Sequence, residues 1–183
     1  YAPLPYLEEV YRSALDHPDV CGISIATRPD CLGIEVLDLL AKLRDEYPDK
    51  FLWIELGLQT IHEDTARYIR RGYPLSCFEQ ACADLKALQI PFIVHTILGL
   101  PGETNIQLLQ TMDYLNRIQP FGIKLQLLHV LKDTDLADDY LAGKFEVLTF
   151  DAYIDLVISC LAHLSPDIVI HRVTGDGQIF RSV

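Results

Sequence analysis

The sequence predicts an α/β fold, a partial (β/α) TIM-like barrel of parallel strands in a single domain, residues 1–183. Three observations predict it. Apolar runs of strand length alternate with amphipathic stretches of helix length. The strands recur at intervals of roughly 30–40 residues, which calls for parallel neighbours joined by crossover helices. Several strands also carry polar side chains on one face only, which suits a barrel interior or cleft better than a sheet covered on both sides.

The elements follow in order. Helical stretches are expected over Pro5–Asp16, Ile34–Tyr47, Glu63–Arg71, Cys77–Gln89, Asn105–Ile118, Leu136–Ala142 and Phe150–Leu164. Strands are expected over Val20–Thr27, Phe51–Gln59, Phe92–Gly99, Ile123–Leu131 and Ile168–Val173. Ser76-x-x-Glu79 and Thr104-x-x-Gln107 both read as capping boxes, and Pro48, Pro91, Pro120 and Pro166 follow helices. In Phe51–Gln59, Ile54, Leu56 and Leu58 share one face, while Trp53, Glu55, Gly57 and Gln59 share the other. Likewise Lys124 and Gln126 oppose Ile123, Leu125 and Leu127, and Ser24, Ala26 and Arg28 oppose Cys21, Ile23 and Ile25.

Composition narrows the function. The 183 residues are 50% hydrophobic and 22% charged, with a net charge of −11. This excludes a disordered or collagen-like chain and gives no bulk positive charge for gripping nucleic acid. No run approaches the roughly 18 uncharged apolar residues of a membrane span. The five cysteines, Cys21, Cys31, Cys77, Cys82 and Cys160, show no metal-binding spacing and fit reduced thiols in the cytoplasm. Neither G-x-G-x-x-G nor G-x-x-x-x-G-K-[ST] is present, so dinucleotide and P-loop chemistry lack their usual signatures.

Ligands of parallel α/β folds sit where strands end at their carboxyl side. The residues leaving the strands are Thr27-Arg28-Pro29-Asp30, Gln59-Thr60, Gly99-Leu100-Pro101-Gly102-Glu103-Thr104, His129 to Lys132 and Thr174-Gly175-Asp176-Gly177. They are polar and rich in glycine and proline, as a ligand rim should be. His95, His129 and His171 lie on three strands and offer a metal site as an alternative, although no H-x-H or H-E-x-x-H motif accompanies them.

Three phrases, taken in order, resemble one superfamily. They are Ile25-Ala26-Thr27-Arg28-Pro29-Asp30; Glu55-Leu56-Gly57-Leu58-Gln59-Thr60 followed by Arg70-Arg71-Gly72; and Ile97-Leu98-Gly99-Leu100-Pro101-Gly102-Glu103-Thr104. Together they are similar to the middle and C-terminal part of a radical S-adenosylmethionine (radical SAM) domain. The branch resembled is that of the elongator catalytic subunit and the oxygen-independent coproporphyrinogen oxidases.

The resemblance implies a partial (β/α)6 barrel that binds S-adenosylmethionine and a [4Fe–4S] cluster. An external electron donor would reduce the cluster, and cleavage of the cofactor would give a 5′-deoxyadenosyl radical. Gln59 and Arg71 fall where relatives contact the methionine or ribose part, His95 falls near the ribose, and Ile97 and Gly99 match the segment that packs the adenine. Arg28 and Glu55 are further candidates for the same pocket. The cluster motif C-x-x-x-C-x-x-C is absent from these 183 residues. The resemblance therefore implies a C-terminal fragment, with the first strand, the cluster loop and the second strand upstream of Tyr1, inactive by itself. The substrate is not legible. A metal-dependent TIM-barrel hydrolase built on the three histidines and a non-catalytic binding module are the alternatives.

Overall fold

The computed structural model describes residues 2–174. Five parallel strands, β1 (Gly22–Thr27), β2 (Phe51–Gln59), β3 (Phe92–Leu98), β4 (Gly122–Leu127) and β5 (Val169–Arg172), lie in chain order in one open sheet. The helices are α1 (Leu4–Leu15), α2 (Ile34–Glu46), α3 (Glu63–Tyr68), α4 (Leu75–Ala87), α5 (Asn105–Ile118), α6 (Asp135–Leu141) and α7 (Phe150–His163), with a 3-10 turn over Pro29–Cys31. The α/β class and the parallel, barrel-like arrangement expected from the sequence are therefore present. Of the expected rim, Gly175-Asp176-Gly177 lies outside the described residues.

The chain divides into two compact units. One takes in residues up to Gly57 together with Tyr73–Val94; the other takes in Leu58–Gly72 and residues from His95 on. In the first, β1 pairs with β2 from Gly22↔Phe51 to Thr27↔Leu56. Its core is built from Leu15, Leu40, Leu43, Ile54, Leu56, Phe78 and Leu85, all nearly or wholly buried. Burial of each such side chain contributes about 1.5–3 kcal/mol. Alternation along β2 is strict: Leu52, Ile54, Leu56 and Leu58 are buried, whereas Trp53, Glu55, Gly57 and Gln59 are half-buried. The Lys50 ammonium ties the strand's approach to α1 by donating to the carbonyls of Leu15 (2.5 Å) and His17 (2.7 Å).

In the second unit, Leu98, Met112, Leu115, Ile123, Leu125 and Cys160 form the core. β4 and β5 pair in parallel with an irregularity between Ile123 and Lys124. Asn116 joins α5 to the end of α7, donating to the His163 carbonyl (2.9 Å) and accepting from the Ser165 amide (2.7 Å).

Local chemistry explains most boundaries. Thr104 and Gln107 form the full capping box that opens α5, and Thr149 caps α7. The expected box at Ser76 is absent, because α4 starts at Leu75 after Pro74 and places Ser76 inside the first turn. Proline before a helix start fixes the entry without a side-chain cap. The third helix ends at Tyr68 rather than Arg71: Arg70 takes a left-handed conformation (φ 55) and the Arg71 amide turns back to the Ala66 carbonyl (2.9 Å). The strand after α5 ends at Leu127 rather than Leu131, with one further ladder-like bond from the Leu128 amide to the Leu98 carbonyl.

Candidate functional site

The exit of β1 belongs to the first unit. There the Arg28 guanidinium grips the Asp30 carboxylate with two bonds, Nε to Oδ1 at 2.9 Å and Nη2 to Oδ2 at 2.7 Å. It also lies over the ring of Tyr73, 5.3 Å from the centroid, while the Tyr73 hydroxyl donates to the Gly57 carbonyl (2.6 Å). Glu55, on the half-buried face of β2, accepts from the Ser24 hydroxyl (2.6 Å). Parity placed these groups on one face, and a side-chain bond between neighbouring strands is what that placement allows.

The exit of β2 belongs to the second unit and is built differently. Gln59 ends the strand in the left-handed region (φ 64). The Thr60 hydroxyl, almost wholly buried, donates to the Glu103 carboxylate and accepts from the His62 amide (3.0 Å). The His62 ring bonds the Gln107 carbonyl (2.9 Å), a partner that makes Nε2 the protonated nitrogen. Burial pushes Glu103 above the usual carboxylate range, against the opposing effects of the Thr60 donor and nearby His62.

Arg71 closes this exit from beneath. Its side chain is 1% exposed. Nη1 donates to the carbonyls of Leu58 (3.2 Å) and Thr60 (2.7 Å), and Nη2 meets Glu63 at 3.1 Å. The turn at Arg70 aims this guanidinium back at the strand end rather than outward. One acceptor is left over: among the described residues, Gln59 Oε1 is buried without a hydrogen-bond partner. An orphaned buried oxygen is costly unless something else supplies a donor.

On β3, His95 and Ile97 alternate with buried Thr96 and Leu98 and so share a half-buried face, and half-buried Gly99 follows the strand. The Gln126 amide approaches His95 Nδ1 at 3.1 Å. Gly99 has φ +81, and a methyl group added to it would lie 2.8 Å from Leu148 Cδ1. Leu148 therefore rests on the bare α-carbon of this glycine.

The structure thus gathers Gln59 and Arg71 at one strand end, with Glu103 joined to it through Thr60, and places His95 and Ile97 on one face of β3, with Gly99 just past its end. Arg28 and Glu55 occupy the first unit. Thr60, His62, Glu103 and Leu148 are the residues that sequence reasoning gave no role. Thr60 and Glu103 sit inside quoted motifs and had a signal; Leu148, between α6 and α7, had none.

The three-histidine alternative fails on geometry. Among the described residues, no group of three or more His, Cys, Asp or Glu side chains gathers to hold a metal. His95 engages Gln126, His171 packs edge-on to Phe121 (5.7 Å), and His129 lines a separate cavity of about 390 Å³ with Tyr68, Arg70 and Asp135. Nor do the cysteines make a cluster site. None of the five is in a disulfide, and burial pushes the Cys82 thiol up to about 12 and the Cys160 thiol up to about 11, so neither is inclined to the thiolate form that binds iron. No helix among the described residues is long and apolar enough to cross a membrane.

Comparison with known proteins adds the family context. Residues 1–115 match the Radical SAM superfamily model, and residues 120–179 match the Radical_SAM C-terminal domain. The chain is 42% identical to the uncharacterized protein YtqA of Bacillus subtilis over 98% of its own length and 55% of that protein. Its fold is similar to that of the archaeal Methanocaldococcus infernus Elp3 (TM-score 0.81, 16% identity, 96% of this chain and 45% of that one). It is also similar to coproporphyrinogen III oxidase (HemN) from Escherichia coli, described as a radical SAM enzyme (TM-score 0.62, 17% identity, 87% of this chain and 35% of that one). The chain spans about half the length of curated relatives it matches, such as YtqA.

Proposed function

The chain belongs to the radical SAM superfamily, and from that membership we propose that it is the part of a radical SAM enzyme that holds the organic portion of S-adenosylmethionine. When bound beside a reduced [4Fe–4S] cluster, that cofactor supplies a 5′-deoxyadenosyl radical for oxidation or group transfer on a substrate. The observation that carries the reading is the buried, unpartnered Oε1 of Gln59 at the end of β2. A hydroxyl or ammonium group of the cofactor would supply the missing donor.

The roles of the remaining residues follow from their surroundings. Arg71 holds the carbonyls of Leu58 and Thr60, which bracket Gln59, and so fixes the direction of the Gln59 side chain. This makes Arg71 a positioning residue, in place of the direct contact with the methionine or ribose part that the resemblance implied. Thr60, Glu103 and His62 anchor the same strand end to the first turn of α5. Ile97 offers an apolar side chain suited to a purine, and His95, held by Gln126, faces the sugar. Arg28 and Glu55, in the first unit, take no part in this proposal.

The cluster is a different matter. These residues contain no C-x-x-x-C-x-x-C, and no described metal-binding group exists, so its thiolate ligands are not supplied here. We assign them to other parts of a longer polypeptide, which would also meet an external electron donor in the cytoplasm. The chain alone is therefore expected to be inactive, and its substrate is open.

The test uses the full-length protein, reconstituted anaerobically with iron and sulfide. Equilibrium dialysis should show stoichiometric S-adenosylmethionine binding, and dithionite should release 5′-deoxyadenosine. Gln59→Leu should weaken binding by about 5- to 30-fold, the scale of one buried hydrogen bond. Binding unaffected by Gln59→Leu would remove Gln59 from the pocket, and a protein that binds no S-adenosylmethionine would end the proposal.

A further inference from the structure

Helix α7 carries more apolar surface than its own packing consumes. Tyr153, Leu156 and Cys160 are buried and seat it on the second unit. Phe150, Ile154, Ile158 and Leu161 recur at spacings that line up on a helix, so they form one stripe beside that buried face. All four are exposed among the described residues, Phe150 by 77% and Ile158 by 58%.

The stripe has a definite direction. The His163 ring meets the Asp113 carboxylate at 2.7 Å, and its carbonyl accepts from Asn116 at 2.9 Å, so α5 lies on the His163 flank of α7. At about 100° per residue the stripe falls roughly opposite His163, on the flank turned away from α5. Since α5 leads into β4 and α7 into β5, that flank looks past the open edge of the sheet. Val169, Ile170 and Val173 of this edge are exposed too. Apolar side chains gathered on a helix flank and on the neighbouring edge strand mark an interaction surface.

Three observations say what covers it. The Tyr153 hydroxyl of α7 donates to the Val173 carbonyl (2.6 Å), so polypeptide continuing from β5 departs beside this helix. The chain takes in only about half the length of its curated relatives, which leaves ample polypeptide to return across the stripe. Asp151 and Asp155 border the stripe, and Phe150–His163 contains no Lys or Arg, so a complementary face is apolar with basic margins. The same acidic border repels an anionic lipid surface.

We propose that this flank of α7 is an intramolecular docking site for a segment of the longer polypeptide that follows residue 183, an amphipathic helix whose apolar stripe is edged with Lys or Arg. About three turns of helix suffice to run from Phe150 to Leu161. The docking site goes beyond the cofactor reading and shares with it only the premise of a longer polypeptide.

The test uses full-length protein with the photo-crosslinker p-benzoylphenylalanine in place of Phe150 or, separately, of Ile158, and mass spectrometry of the crosslinked peptides. Both positions should capture one segment C-terminal to residue 183 within the same molecule, while the crosslinker at exposed Ser159, on the polar side of α7, should not capture it. Ile158→Asp should make that segment about tenfold more sensitive to limited proteolysis and leave S-adenosylmethionine affinity within twofold, whereas Ile158→Leu should keep the parent's protection. Capture of a segment preceding Tyr1, capture between two copies of the protein, or no capture from either position would overturn the proposal. Expected capture in a protein that binds no S-adenosylmethionine would leave the docking site standing and end the cofactor reading alone.

Discussion

Two arginines lie at strand ends of this molecule, one leaving β1 and one reaching back to β2 from beyond α3, and they are used in opposite ways. Arg28, after β1, has a side chain 53% exposed and holds Asp30 two residues away; Arg71, after α3, is 1% exposed and holds main-chain carbonyls. Charge attached to a neighbouring carboxylate in solvent is screened and contributes little. Charge buried against carbonyls organises backbone, because the carbonyls have no water to replace it. The contrast teaches that a basic residue in a ligand-rim motif does not by itself identify a ligand contact. What matters is which donors the surrounding chain has already engaged.

The largest effect should come from breaking the buried partner. Arg71→Ala is expected to cost about 2–5 kcal/mol in urea unfolding, since it leaves the carbonyls of Leu58 and Thr60 without their buried donor, whereas Arg28→Ala should cost less than about 1 kcal/mol. Equal losses at the two sites would erase the distinction. Arg71→Lys should not restore stability, because one ammonium lacks the planar fork that spans Leu58, Thr60 and Glu63.

A smaller effect sharpens the picture at Glu103. Its folded value is raised by burial, so the protonated form stabilises the fold. That contribution is complete below the ordinary carboxylate value and is lost as pH rises through the raised one. Urea midpoints for the parent should therefore fall across the mildly acidic range, while Glu103→Gln should show a flatter profile and equal or greater stability at neutral pH. A parent profile with the same slope as that of Glu103→Gln over that window would contradict the assignment. Smallest of all is Ser24→Ala, which removes the exposed donor to Glu55 and should lower stability by about 0.5 kcal/mol or less.

Much of this architecture is legible from local pattern. Phe51–Gln59 and Asn105–Ile118 can be read to the residue, the first from strict alternation and the second from a capping box. The third helix is overextended because the apolar and polar pattern continues past Tyr68, while the left-handed Arg70 is a backbone choice that no side-chain pattern displays. Ser76-x-x-Glu79 misleads because the same spacing occurs inside a first turn as readily as at its start. At the site, Gln59 and Gly99 stand in motifs and can be found. The burial of Arg71 and the contact of Leu148 are products of tertiary packing, from carbonyls across a turn and from a connection about 50 residues downstream, and a linear pattern carries neither.

Gln59 carries one more consequence. A long side chain held at φ 64 costs about 1–2 kcal/mol that glycine would not incur, and its buried oxygen adds to that cost. Selection for heat tolerance alone would therefore favour Gln59→Gly, trading away the very group proposed to greet the cofactor. Engineering of this scaffold should score melting temperature and ligand retention together, because at this residue improvement in one is purchased with the other.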